Sequence, residues 1–140
     1  MRANDEKRIR TMKCTSAIGA GFAVVADTTD ATNQTVKLPA GADPTSGVIG
    51  VTYRAAVAMD ASGTNYLVDV VVDGSCDVYV KAAGTAIAHG DFIVVHGVTG
   101  SGKKGAIGTA SMFFGIANEK ATVDDVLISI DLQRGLIPVS

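Results

Sequence analysis

The sequence predicts an all-β fold: a small single-domain barrel or sandwich of about eight short strands, preceded by an extended N-terminal arm. Three observations carry this. Apolar residues recur with a period of two in short, β-branched runs. Clusters of Gly, Pro, Asp and Ser interrupt those runs roughly every 8 to 15 residues, the spacing of turns in a sandwich or barrel. No segment keeps a period of 3.6 over the roughly ten residues that a stable helix asks for. A chain of 140 residues suits one core. Residues 1–15 read as the arm, 16–133 as the β-rich body and 134–140, "RGLIPVS", as a short tail.

From the N-terminus, the arm is followed by the β-branched runs "GFAVVAD" (21–27), "QTVKLPA" (34–40), "GVIGVTYRA" (47–55) and "YLVDVVVD" (66–73). In "SCDVYVKA", Cys76, Val78 and Val80 fall on one face and Asp77, Tyr79 and Lys81 on the other, the pattern of a half-buried strand. "DFIVVHG" (91–97) and "MFFGIAN" (112–118) come next, and "DVLISIDLQ" alternates Val126, Ile128, Ile130 and Leu132 with Leu127, Ser129, Asp131 and Gln133. The turns fall at "AGADPTSG" (40–47), "MDASGTN" (59–65), "VDGS" (72–75), "AHGD" (88–91) and "GSGKKG" (100–105). "RAAVAMDA" (54–61) and "EKATVDDVL" (119–127) are each expected to form one helical turn at most.

Composition adds a second expectation. Apolar residues make up 47% of the chain, charged residues 19% and aromatic residues 5%, so the apolar content is mostly small Ala and Val. A charge-poor exterior of that kind associates, either with copies of itself or with a larger partner. The charge is uneven. Residues 1–13 hold Arg2, Lys7, Arg8, Arg10 and Lys13 against Asp5 and Glu6, a net of +3, and leave −5 for the rest. Nucleic acid is one partner such an arm could take, but five cations without interleaved aromatics make a weak case; an acidic protein surface suits them at least as well, and a solvated flexible terminus is the third reading. No run approaches the roughly 18 apolar residues of a membrane span, and the polar start lacks a secretory segment, so synthesis in the cytoplasm is expected. Cys14 and Cys76 lack metal or disulfide spacing and read as free thiols.

"HGVTGSGKKG" (96–105) contains G-x-x-x-x-G-K from Gly97 to Lys103. A phosphate-binding loop also needs a helix after it and a Ser or Thr following the Lys. Lys104 stands there instead, and "GAIGTASMFFG" carries no helical stripe. The stretch therefore reads as a connection between strands, with Gly100, Gly102 and Gly105 supplying positive φ and Lys103 and Lys104 keeping it solvated. His89 and His96 are seven apart, on opposite faces of one extended segment, so a shared metal is not expected. Asp27, Asp30, Asp43, Asp60, Asp73, Asp91, Asp124 and Asp125 sit in or beside turns, where Asp bonds to local backbone. No nucleophile and base are paired by spacing. The sequence predicts no enzyme, no cofactor and no metal.

From residue 66 onward, "VDVVVDGSCDVYVKAAGTAIAHGDFIVV" and then "FFGIANEKATVDDVLISIDL" form a familiar order. The matching positions are Asp73-Gly74, Val78 and Val80, Gly84 to Asp91, Gly115 to Ala117, and Val126 to Leu132. This half of the chain resembles the small decoration proteins, also called cement or head-stabilising proteins, that tailed bacteriophages add to the outside of their capsids. The resemblance implies a virion protein that forms homotrimers on the expanded shell. It also implies a terminus reaching onto the major capsid protein. No membrane or nucleic-acid partner is expected from the residues themselves. On that expectation the capsid-binding arm comprises Arg8, Ile9, Arg10, Thr11, Met12, Lys13, Cys14 and Thr15, a segment of mixed polarity suited to joining a neighbour's sheet. Removing residues 1–15 is then expected to leave a folded body. Two rivals stand beside this reading: another phage part, such as a tail-tube or head-fibre protein, and a nucleotide- or nucleic-acid-binding module.

Overall fold

The computed structural model describes residues 7–29, 34–39, 47–106 and 112–137. Among them the fold is all-β, with ten strands and no α-helix: β1 (Lys7–Cys14), β2 (Ala23–Ala26), β3 (Val36–Lys37), β4 (Val48–Thr52), β5 (Val57–Ala58), β6 (Tyr66–Val80), β7 (Phe92–His96), β8 (Ser101–Lys104), β9 (Met112–Ala117) and β10 (Val126–Leu136). The expected turn at 40–47 lies outside the described residues except for Gly47, and the last three residues of the expected tail lie outside them too.

The architecture turns on β6. Residues 66–73 and 75–82 were expected to be two strands joined by a "DG" turn, but the chain runs through as one strand of 15 residues. Gly74 takes φ 91° in its middle, and the Asp73 carboxylate accepts a hydrogen bond from the Gly74 N–H at 2.9 Å. Val72 is skipped in the pairing with β1, between Arg8↔Asp73 and Ile9↔Val71. The turn chemistry is real, but it makes a bulge instead of a reversal, because both halves of the strand have partners waiting.

Those partners form two rings that share β6. Its first half lies between β1 on one side and β4 with β5 on the other; β2 and β3 follow β4, and a bridge between Lys13 and Thr35 brings β3 back to β1. Its second half pairs with β10, then β9, β7 and β8 in turn, and β8 returns to β6 in parallel at Val80↔Gly102. Met12, Cys14, Ile18, Val24, Val36, Val68 and Val70 pack as the core of ring one. Cys76, Val78, Val80, Ile93, Val95, Phe114, Ile128 and Ile130 fill ring two, and Ala23, Val25, Val51 and Val71 from the other face of ring one complete that core. Alternation explains the division: on β2, Val24 points into ring one while Ala23 and Val25 point toward ring two.

Several expectations need correction. Residues 7–14 are no detached arm, for β1 pairs with β6 over eight positions, and Met12 and Cys14 are buried. Val57 and Ala58 within 54–61 form a strand, and 119–127 holds turns, an isolated bridge at Ala121 and the start of β10 in place of a helical turn. "GSGKKG" contains β8. Gly100 has φ 76°, as expected, but Gly102 and Gly105 do not have positive φ. What Gly102 supplies is room: a Cβ there would lie 2.6 Å from Ile93 Cγ2. β10 extends to Leu136, so part of the supposed tail also belongs to the sheet.

Candidate functional site

The expected docking residues divide by the pleat of β1. Thr11 donates to the Asp69 carboxylate across the strand pair at 2.7 Å, and it shares an outer face with Ile9, which is 40% exposed. On the opposite face the side chains run from solvent into the core: Arg8 and Arg10 are exposed, Met12 and Cys14 buried. Met12 and Cys14 are therefore core residues rather than contact residues. Lys13 is half-buried, with its backbone N–H donating to the Gln34 carbonyl at 3.1 Å, and Thr15 lies exposed beyond the strand.

The Arg8–Arg10 end of this face opens into the mouth of ring one. Two adjoining grooves of about 470 and 480 Å³ meet at Arg10 and Ile49. Their apolar floor is Met12, Val36, Ile49 and Val72, and Arg8, Arg10 and Arg134 surround it. Arg134 reaches over from β10, where its Nε donates to the Val48 carbonyl at 2.6 Å and its Nη2 to the Ile49 carbonyl. Arg10 donates to the neutral Gln34 side chain at 2.6 Å. The ion pairs among the described residues are Lys81–Asp125 and Lys104–Asp91, neither at this mouth. Its lining carboxylate, Asp27, accepts from the Thr29 amide and hydroxyl at the far end of the second groove. Three guanidinium groups, two bonded to neutral partners and Arg8 to none among the described residues, can hold carboxylates through paired hydrogen bonds.

The other sequence-derived candidates have structural roles. Gly97–Thr99 is one 3-10 turn capped by Gly100, and β8 follows where a phosphate-binding loop needs a helix. Its backbone is committed to neighbours: the Gly100 carbonyl accepts from the Ala23 N–H at 2.7 Å, and the Gly102 carbonyl from the Lys81 N–H at 2.8 Å. His89 lies in an exposed turn and His96 ends β7. Asp27, Asp73, Asp91 and Asp124 each accept a backbone N–H, from Thr29, Gly74, Ala88 and Ala83 respectively. The bond from Ala83 leads the causes that hold the Asp124 carboxyl below its usual range. Asp30 and Asp43 lie outside the described residues.

Cys14 and Cys76 are free thiols, one in each core. Burial, helped by the nearby Asp77 carboxylate, pushes the Cys76 thiol up to about 12. Arg134, Ile49 and Val72 had no sequence signal as site residues, since Arg134 meets β4 only through contacts more than 80 positions apart in the chain.

No protein-family model matches the chain, and no curated protein does. Among solved structures it is similar to the head fibre gp8.5 N base of bacteriophage phi29, with a TM-score of 0.62 and 16% identity over 91% of this chain and 95% of that one. At that identity the likeness is one of fold.

Proposed function

We propose that the protein is a structural component of a phage particle, seated on the outer surface of the head, where it binds the major capsid protein of the expanded shell and bridges its subunits. The observation that carries this is the fold shared with a head fibre base across nearly the whole of both chains. The resemblance of residues 66–132 to capsid decoration proteins supports it from the sequence side. In this role the protein acts through contact area and multivalency, without a reaction or cofactor. The exposed residues of β1, namely Arg8, Ile9, Arg10 and Thr11, are its docking segment.

Association as a homotrimer belongs to the same reading. Val57 and Leu67 are cross-strand partners, exposed by 68% and 43%, and with Met59 they make an apolar stripe along β5 and β6 suited to burial against a second copy. A head-fibre base is the second reading, favoured by the same fold likeness. Purified particles with and without the protein, imaged by electron microscopy, test both. Density confined to the head surface is the expected result, and a projecting fibre above it marks the second reading. Density on tails alone overturns both. Sedimentation of the free protein is expected to give three copies, and a dimer would contradict that assembly.

A further inference from the structure

We propose that the mouth of ring one is a peptide-binding site that takes an extended segment bearing alternate carboxylates and apolar side chains. This deepens the docking reading above by naming what is bound and where, and it stands on the chain's own geometry. Arg8, Arg10 and Arg134 surround the groove, and each is satisfied by neutral groups or by solvent. None of the three forms an ion pair among the described residues, and together they outnumber the two carboxylates nearby, Asp73 opposite Arg8 and Asp27 in the second groove, which favours carboxylates and steers an acidic partner toward the mouth. Between them lies an aliphatic floor of Met12, Val36, Ile49 and Val72, of which Ile49 and Val72 are only partly buried.

An extended chain presents its side chains alternately to two sides, so one strand can set apolar groups on this floor and aim carboxylates at the rim. Single-stranded nucleic acid would also seek three arginines, but it binds through stacking on aromatic rings, and this floor is aliphatic.

The test uses the full chain and a fluorescein-labelled decapeptide of alternating Glu and Val, with a Lys/Val decapeptide and a ten-nucleotide single-stranded DNA as competitors. Anisotropy is expected to show saturable binding of the Glu/Val peptide that weakens with added salt and is not displaced by the Lys/Val peptide. Arg8→Gln, at a side chain with no hydrogen bond or ion pair among the described residues, should weaken binding about tenfold with an unchanged melt; the neutral replacement avoids setting a second carboxylate opposite Asp73. Amide NMR shifts are expected at Arg8 to Met12, Ile49, Val72 and Arg134. No binding, equal binding of the Lys/Val peptide, or shifts confined to other surfaces would overturn the assignment. So would tighter binding of the DNA at the same residues. Because no capsid enters the assay, failure here leaves the particle role standing, and success here with bare heads in the microscope removes that role alone.

Discussion

Ring two is closed by strand ladders nearly all the way round. β6 and β10 pair over six positions, β9 and β7 continue the circuit, and even its weakest step, β8 to β6, is reinforced by the hydrogen bond from Lys81 to Gly102. Ring one shares a strand with it but closes through the two-residue β3 and the bridge at Lys13. Its mouth carries unpaired cations, whereas the charged side chains at the β6–β10 end of ring two are satisfied locally, as in the 2.6 Å pair of Lys81 with Asp125. A well-closed ring supplies rigidity, and a loosely closed one leaves backbone and charge for a partner.

The largest test of this contrast is removal of β1. The body was expected to survive loss of residues 1–15, but that deletion takes Met12 and Cys14 from the core of ring one and uncovers Val68 and Val70. Hydrogen exchange should show β2, β3 and β4 losing protection while β7, β9 and β10 keep theirs. Collapse of protection everywhere would mean that β6 makes the two rings one cooperative unit.

Phe114→Ala strikes the other ring. The ring is 1% exposed among Ile and Val side chains, and its truncation is expected to cost about 3–5 kcal/mol, read from the urea midpoint. A loss below about 1 kcal/mol would show that ring two is less tightly packed than its closure suggests.

Alkaline pH offers a finer probe of the same core. The Cys76 thiol is held neutral in the fold, with its ionisation pushed from 9.0 to about 12. Its contribution is complete below the unfolded value and is lost as pH rises toward the folded one, because the unfolded chain releases that proton first. Stability should fall by at most about 1.4 kcal/mol per pH unit between those values, and Cys76→Ala should flatten this part of the profile. An identical slope in the variant would assign the effect to other groups.

Lys103→Ala should do least. The side chain is half-exposed on β8 and outside both ion pairs, so the melt is expected to shift by no more than about 0.5 kcal/mol. A larger loss, or ATP hydrolysis that this change abolishes, would return the glycine-lysine stretch to the list of functional sites.

The strand class and most strand positions were legible in the sequence because alternation is local: Cys76, Val78 and Val80 declare a buried face without reference to any neighbour. The turn aspartates Asp27, Asp73 and Asp91 were legible for the same reason, since each bonds to backbone within three positions of itself, whereas Asp124 reaches the Ala83 amide 41 positions away. Non-local pairing was decided elsewhere. "VDGS" has the composition of a turn, yet β1, β4 and β10 hold the chain straight through Gly74, with a bulge at Val72. "SGKK" has poor strand propensity, yet β7 and β6 on either side make it β8. "RIRTMKC" shows no dominant apolar face, because only its last part enters a core while Arg8 and Arg10 remain at the rim. The sequence by itself determined the strand class, most strand positions and the local hydrogen bonds of the turns. Tertiary structure decided which strands meet, and so brought Arg134 beside Arg8 and Arg10, because that meeting depends on ring closure between segments too distant in the chain for any local pattern to record.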